Sequence, residues 1–144
     1  MVEGYSKTPL PIKLGVKENS TLVLVYAPPT FTMEIPSSVE VRRRAQGRAD
    51  VIVAFFVRST LLERQIEVLG AMIFPSGGLW IAWPKTSSGL STDISDHAVR
   101  DIALPLGPVD NKVCALDEPW RAMRMVWRRN RRTTSHADSE RTRD

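Results

Sequence analysis

Several charged, hydroxyl and aromatic residues follow apolar segments at positions where a parallel sheet would gather them at one edge. In open parallel sheets, ligands bind outside the carboxyl ends of the strands, where the strand order reverses. The sequence therefore predicts a candidate crevice there. Its rim comprises Ala27, Thr30, Arg58, Ser59, Trp83, Lys85, Thr86 and Asp93.

Within this rim, Lys85 and Asp93 supply opposite charges for a polar ligand, and Trp83 offers an aromatic face. The alternative interpretation, which the residue types favour, is structural. In that interpretation Trp83 belongs to the core, Lys85 is a solvated surface residue, and Asp93 begins a helix.

Two continuous apolar segments, residues 51–57 and 79–83, position these groups. Strands buried on both faces of a parallel sheet appear as unbroken apolar runs of this kind. Between them, Leu62, Ile66 and Leu69 recur at helical spacing, which predicts an amphipathic helix with one face on the sheet. The pattern indicates a strand, crossover helix and parallel strand.

The other segments extend this unit. Residues 21–27 read as a β-branched first strand ended by two prolines, and residues 39–44 as a polar edge strand. A second helix is expected over 95–106, followed by an antiparallel strand pair at 112–116 and 123–127. The predicted fold is α/β: a Rossmann-like, mostly parallel sheet with crossover helices and a C-terminal antiparallel pair, in strand order two, one, three, four, six, five.

Composition places the chain among ordinary globular proteins, with 42% apolar and 25% charged residues. No apolar run approaches the roughly 20 residues of a membrane helix. The N-terminus lacks a secretory signal pattern, which favours a cytoplasmic location without membrane contact. We expect one domain over residues 1–129 and a disordered basic tail over 130–144.

The net charge of +4 is concentrated at the C-terminus, where six arginines and three acidic residues lie from Arg128 onward. With Arg121, Arg124, Trp120 and Trp127 nearby, this region could bind nucleic acid nonspecifically and in a salt-dependent way. The favoured alternative is a solubilising tail beside two tryptophans that pack at the end of the sheet.

Few other residues indicate metal binding, phosphate binding or catalysis. Cys114 is a single cysteine in an apolar run, and neither His97 nor His136 has a metal-ligand partner at useful spacing, so no metal site is predicted. The run of arginines at 42–44 lies where phosphate-binding arginines occur in dinucleotide folds, but charges also protect an edge strand. No catalytic residue is assigned.

Residues 50–127, with the local match Phe-Pro-Ser-Gly-Gly-Leu at 74–79, resemble the C-terminal half of the class I S-adenosylmethionine-dependent methyltransferase fold. The chain resembles more closely a family of short bacterial proteins without an assigned function. That resemblance rests on Gly-Tyr-Ser-x-Thr-Pro-Leu at 4–10, Gly-Leu-Trp-Ile-Ala-Trp-Pro-Lys at 78–85 followed by Thr92 and Asp93, Ala-Leu-Pro-Leu-Gly at 103–107, Val-Asp-Asn-Lys-Val-Cys-Ala at 109–115, Asp117 and Trp120.

The chain departs from the methyltransferase pattern at both cofactor-binding positions. Those enzymes have a glycine-rich turn after strand one and an acidic residue at the end of strand two. Here Tyr-Ala-Pro-Pro occupies 26–29, and the arginines at 42–44 replace the acid. No cofactor is therefore predicted, and S-adenosylmethionine is disfavoured.

These observations favour a non-catalytic binding or interaction protein whose partner is a small molecule or another protein. A minimal transferase that binds S-adenosylmethionine or a nucleotide is the alternative, with Lys85 and Asp93 at the crevice. Nonspecific nucleic-acid binding through the C-terminus is the second alternative.

Overall fold

A computed structural model describes residues 8–116 and 119–128 of the 144-residue chain. It contains three α-helices, six strands and two short 3-10 turns among these residues. The elements are α1 (Leu10–Leu14), β1 (Thr21–Val25), β2 (Glu40–Arg42), β3 (Val51–Phe55), α2 (Ser59–Ile73), β4 (Gly78–Pro84), a 3-10 turn (Thr86–Ser88), α3 (Asp96–Ala103), a 3-10 turn (Leu104–Leu106), β5 (Val109–Ala115) and β6 (Trp120–Val126).

The six strands form one sheet in the order β2-β1-β3-β4-β6-β5. The β1–β2, β1–β3 and β3–β4 pairs are parallel, whereas β4–β6 and β5–β6 are antiparallel. The α/β class, the mostly parallel sheet and the C-terminal antiparallel pair predicted from the sequence are confirmed. The apolar runs were sufficient for this because β3 and β4 are buried over their whole length.

One face of the sheet packs against α2 and α3. Leu62, Ile66 and Leu69 of α2 are buried there, as the helical spacing predicted, and Val99 of α3 joins them. The apolar stripe of each helix thus removes the same sheet face from water.

The opposite face has a thinner cover. It consists of α1 and the irregular segment between β1 and β2, which contribute Leu14, Phe31 and Val39 to a second core cluster. The indole nitrogen of Trp80, in β4, donates a hydrogen bond of 3.0 Å to the Leu14 carbonyl and so ties α1 to the sheet. No long helix among the described residues covers this face.

Several element ends differ from the predicted ones. β1 ends at Val25 rather than at Ala27 because Tyr26 adopts a left-handed backbone conformation with φ of 57°. β3 ends at Phe55, two residues early, because the chain turns there into α2. In addition, α3 ends at Ala103 and tightens into the 3-10 turn at Leu104–Leu106.

The predicted domain boundary at residue 129 and the predicted tail over 130–144 lie outside the described residues. Within the described part, no helix is both long enough and apolar enough to cross a membrane.

Candidate functional site

The strand order reverses between β1 and β3, since β1 connects to β2 on one side and β3 lies on its other side. The carboxyl ends of β1, β3 and β4 therefore frame the edge of the sheet at which this fold class binds ligands. The residues of the predicted crevice all lie on segments at or beyond this edge.

The turn after β1 is built without glycine. Tyr26 holds a φ of 57°, a region that costs a residue with a side chain about 1–2 kcal/mol. The Tyr26 ring packs edge-to-face on Phe56, just past the end of β3, with centroids 5.8 Å apart. Pro28 and Pro29 follow and have no backbone N–H to offer a ligand. The Tyr26 side chain thus spans the point where the strand order reverses.

Ser59 and Asp93, two of the residues assigned to the predicted crevice, contact each other. The Asp93 carboxylate accepts hydrogen bonds from the Ser59 backbone N–H at 2.8 Å and from the Ser59 hydroxyl at 2.7 Å. These two bonds, with a smaller contribution from the charge of Arg58, hold the pKa of Asp93 below its usual value.

This pair also explains how α2 begins. Arg58, at the N-cap position, makes no side-chain capping bond, and Asp93 supplies the anionic cap from the loop after β4. The carboxylate therefore satisfies the helix terminus. A carboxylate whose pKa is lowered in this way is a poor general base at neutral pH.

A second contact fastens the same loop. The Thr92 hydroxyl donates a hydrogen bond of 2.7 Å to the Val57 carbonyl and accepts one from the Ile94 backbone N–H. The Ile94 side chain is buried in the core cluster under α2 and α3. The loop is therefore held on both sides of Asp93, by the Thr92 bond to Val57 just past β3 and by burial of Ile94 in the core.

Trp83 lies in the core, with only 3% of its surface exposed. The Arg121 guanidinium lies 5.9 Å from the centroid of its ring and forms a two-bond ion pair with Asp96, at 2.9 and 2.6 Å. This pair lowers the pKa of Asp96 and raises that of Arg121. The aromatic face that the sequence offered to a ligand is thus occupied by Arg121.

The remaining predicted rim residues spread along the edge. Lys85 is half-buried, and its backbone N–H donates to the Pro119 carbonyl at 2.8 Å. Thr30 and Thr86 are exposed. Ala27 packs against the core cluster on the sheet face that α1 covers. The contacts reported above join Arg58, Ser59 and Asp93 into one group.

Three exposed apolar side chains at this end were not assigned to the site from the sequence. Tyr26 is 52% exposed, Val57 40% and Leu90 52%. Val57 follows β3 directly, and Leu90 belongs to the anchored loop. We name Tyr26, Val57, Arg58 and Leu90 the carboxyl-edge surface. An isolated apolar residue beside proline, arginine or serine cannot be distinguished from a core residue by sequence alone.

The arginine groups of the sequence have different surroundings. Arg42 forms an ion pair with Glu40 at 3.0 Å and donates to the Gln46 carbonyl at 2.8 Å, so it fastens the turn after β2. Arg43 and Arg44 are exposed. The Arg124 guanidinium lies against Gly78.

The two C-terminal tryptophans are half-buried. The Trp120 ring packs on Phe55 with centroids 5.0 Å apart, and the Trp127 indole donates to the Gly70 carbonyl at 2.9 Å.

The arginines and the histidine beyond residue 128 lie outside the described residues. His97 pairs with Asp101 on the exposed face of α3. In the described ranges, no cluster of three or more His, Cys, Asp or Glu residues could hold a metal ion.

Comparison with solved structures supports the fold. A SAM-dependent methyltransferase from Aquifex aeolicus superposes with a TM-score of 0.58 at 15% identity, covering 79% of this chain and 85% of that one. Magnesium protoporphyrin IX methyltransferase from Synechocystis PCC 6803 gives a TM-score of 0.49 at 13% identity over 63% of this chain and 52% of that one. No protein-family model and no curated protein sequence matches the chain. The chain has a class I methyltransferase-like fold.

Proposed function

We propose that the chain is a non-catalytic binding or interaction protein that uses a methyltransferase-like sheet as its scaffold. The observation that carries this proposal is the turn after β1. There the left-handed Tyr26 and two prolines replace the flexible, donor-rich turn that a nucleotide-type cofactor needs. A strained residue at a ligand-binding edge is a feature of functional sites in general.

The charged groups at this edge support binding rather than catalysis. Asp93 caps α2 through Ser59, and Asp96 is paired with Arg121. Neither carboxylate has a raised pKa, the property that would suit it to proton transfer near neutral pH. Their hydrogen bonds instead hold the loop after β4 and the start of α3 in place.

The carboxyl-edge surface has the composition of a contact surface. Tyrosine and arginine are the residue types that dominate binding energy at interfaces, and here exposed Val57 and Leu90 accompany them. Arg58 is exposed and positively charged. We therefore propose that the ligand or partner combines an apolar group, which contacts Tyr26, with a negative charge, which contacts Arg58.

The test compares surface variants that should leave the fold intact. Tyr26→Ala and Arg58→Gln remove the two central groups of the surface. Val68→Ala removes an apolar side chain of similar exposure, 51%, from α2. Binding partners are first identified by affinity capture with the wild-type chain, and their affinities for each variant are then measured by calorimetry.

Tyr26→Ala or Arg58→Gln should weaken binding by at least about tenfold, the loss expected for a hot-spot side chain. Val68→Ala should leave the affinity unchanged. A partner that binds all four proteins equally well would move the contact away from this edge and overturn the proposal.

A minimal transferase that binds S-adenosylmethionine or a nucleotide is the second candidate. The observation that favours it is the fold itself, which superposes on a SAM-dependent methyltransferase over 85% of that chain. In this case Lys85 and Asp93 would line the cofactor site. Lys85→Ala should then weaken cofactor binding while leaving the melting temperature nearly unchanged, and an unchanged affinity would remove Lys85 from the site.

Nucleic-acid binding through the C-terminus remains a prediction from the sequence, because most of the arginines concerned lie outside the described residues. Truncation after Trp127 should abolish such binding, and the binding should weaken steeply as salt is added. Binding that survives truncation or ignores salt would refute it. Membership of the family of short bacterial proteins and a cytoplasmic location also belong to this proposal.

A further inference from the structure

A cavity lies on the face of the sheet that α2 and α3 cover, away from the carboxyl-edge surface. It has a volume of about 190 Å³ and lies between the C-terminal half of α2 and the segment that joins α3 to β5. Its floor includes Leu79, at the start of β4, and Met125, near the end of β6, which pair directly in the sheet. The cavity is therefore at the amino end of β4, whereas the carboxyl-edge surface lies beyond the carboxyl ends of the strands.

The floor and walls of the cavity are apolar. Four buried side chains contribute to them: Ile66, Ile73, Leu79 and Met125. Leu106, in the 3-10 turn after α3, forms a further wall and is 40% exposed. These five side chains have no hydrogen-bond donors, and a polar group buried against them would lose its water without compensation. The lining therefore favours an apolar ligand.

Trp127 forms a fixed wall on one side of the cavity. Its indole N–H donates to the Gly70 carbonyl at 2.9 Å, and its ring packs edge-to-face on Phe74 with centroids 5.5 Å apart. These contacts hold the ring against the C-terminal part of α2. The wall is thus already in place before a ligand arrives, as is usual for small-molecule sites.

The volume limits the size of the ligand. An apolar cavity of about 150 Å³ is large enough to bind benzene, whereas drug-sized ligands occupy pockets of about 300 Å³ or more. Atoms that line an unfilled apolar space lack dispersion contacts on that side, so an occupant of matching size gains them. The cavity therefore suits a molecule of one or two fused rings.

Glu67 determines which charge the cavity accepts. It lines the cavity from α2 and is exposed, as is Ala71 one turn later, so these two residues mark the side that opens to solvent. The C-terminal end of α2, which carries the negative end of the helix dipole, lies on the cavity as well. Both features disfavour a ligand that carries a carboxylate or a phosphate.

We propose that this cavity, named here the Trp127 cavity, binds a small uncharged aromatic molecule of one or two rings. The ring of the ligand lies on Leu79 and Met125 and is flanked by Leu106 and Trp127. A methionine sulfur and an aromatic wall both make favourable contacts with aromatic rings, which selects an aromatic ligand over an aliphatic one. The inference does not depend on the carboxyl-edge surface.

The test titrates indole into the full chain labelled with ¹⁵N. The backbone amide signals of Gly70, Leu79 and Met125 should shift and saturate, while those of Ser59 and Asp93 at the opposite end of the sheet should stay in place. Indole-3-carboxylate, which adds a negative charge to the same ring, is the ligand control and should bind at least about threefold more weakly.

Leu106→Ala removes one wall of the cavity and should weaken indole binding by about fivefold or more, because apolar contact with the ring is lost. Leu104→Ala is the matched control. Leu104 belongs to the same 3-10 turn and is 42% exposed, but it does not line the cavity. Its variant should bind indole as the wild-type chain does.

Glu67→Gln removes the negative charge at the mouth. It should strengthen binding of indole-3-carboxylate by about threefold and leave indole binding unchanged, whereas Glu63→Gln, one turn earlier on α2 and outside the lining, should change neither.

Three results would overturn the proposal. The first is an absence of saturable shifts at Leu79 and Met125, as would follow if another segment of the chain or a protein partner filled the cavity. The second is an equal loss of indole binding in Leu104→Ala and Leu106→Ala, which would indicate nonspecific adsorption of the ring. The third is wild-type binding of the acid as tight as that of indole, which would contradict the assignment of an uncharged ligand.

Discussion

Phe55 is the side chain on which the packing of the central strand can be tested most sharply. It lies at the end of β3, is 3% exposed, and belongs to the core cluster under α1. Its ring makes edge-to-face contacts with Phe31 and with Trp120, each with centroids 5.0 Å apart. Truncation to alanine therefore removes a buried ring together with two aromatic pairs.

Phe55→Ala should lower the free energy of unfolding by about 3–5 kcal/mol, the usual cost of removing a phenyl ring from a packed core. The upper part of this range is expected, because each aromatic pair adds about 0.5–1.5 kcal/mol beyond the burial of area. The free energy of unfolding of a whole domain is about 5–15 kcal/mol, so the variant should be severely destabilised. It should still fold if the wild-type stability lies near the upper end of those values.

The measurement is urea unfolding followed by far-UV circular dichroism, which avoids a change in Trp120 fluorescence caused by its new surroundings. Phe55→Leu keeps most of the apolar volume and should cost less than about 1.5 kcal/mol. Val57→Ala, at a position that is 40% exposed two residues later, should change stability by about 0.5 kcal/mol or less. A loss below about 1 kcal/mol for Phe55→Ala would refute the assignment of β3 as a strand buried on both faces.

Three further outcomes test separate parts of the structure. The pKa of Asp96 is lowered in the folded chain, so its ionised form stabilises the fold. At pH 7 the wild-type chain should be more stable than Asp96→Asn by up to about 1 kcal/mol. In acid unfolding experiments this difference should disappear as the pH falls below about 4. Tyr26→Gly should be more stable than Tyr26→Ala by about 1 kcal/mol in urea unfolding, the reverse of the usual order, because only glycine accepts a φ of 57° without cost. Gly70→Ala should stabilise the chain by about 0.5–1 kcal/mol in thermal unfolding, because alanine favours the helix more than glycine does. An added Cβ would meet Trp127 at 3.6 Å, an ordinary contact distance. A loss of stability would contradict that packing.

Hydrophobic patterning was enough to predict the architecture from the sequence. The unbroken runs at β3 and β4 and the spacing of Leu62, Ile66 and Leu69 define a crossover unit whose geometry admits few alternatives. The element ends were predicted less well. The left-handed backbone of Tyr26, which ends β1 early, has no signal in a tyrosine flanked by valine and alanine, since glycine and asparagine are the usual residues there.

The sequence predicted one edge of the sheet for the candidate residues but not the contacts that they make there. The rule for parallel sheets put Ser59 and Asp93 at one edge, and they do meet there. Two contacts depend on loop paths and on residues far apart in the sequence. They are the capping of α2 by Asp93 and the packing of Arg121, paired with Asp96, on Trp83. Neither is encoded in local residue spacing.

Titration of S-adenosylmethionine and S-adenosylhomocysteine into the wild-type chain, followed by thermal shift and calorimetry, tests the central proposal most directly. A ligand at 100 times its dissociation constant stabilises the native state by about 2.7 kcal/mol, a change that is readily measured. We expect no stabilisation by either compound at millimolar concentration, because Tyr26 and two prolines form the turn after β1 and the prolines offer no backbone N–H to a ligand. Saturable binding with a clear rise in melting temperature would contradict the non-catalytic proposal and establish a cofactor site on this sheet.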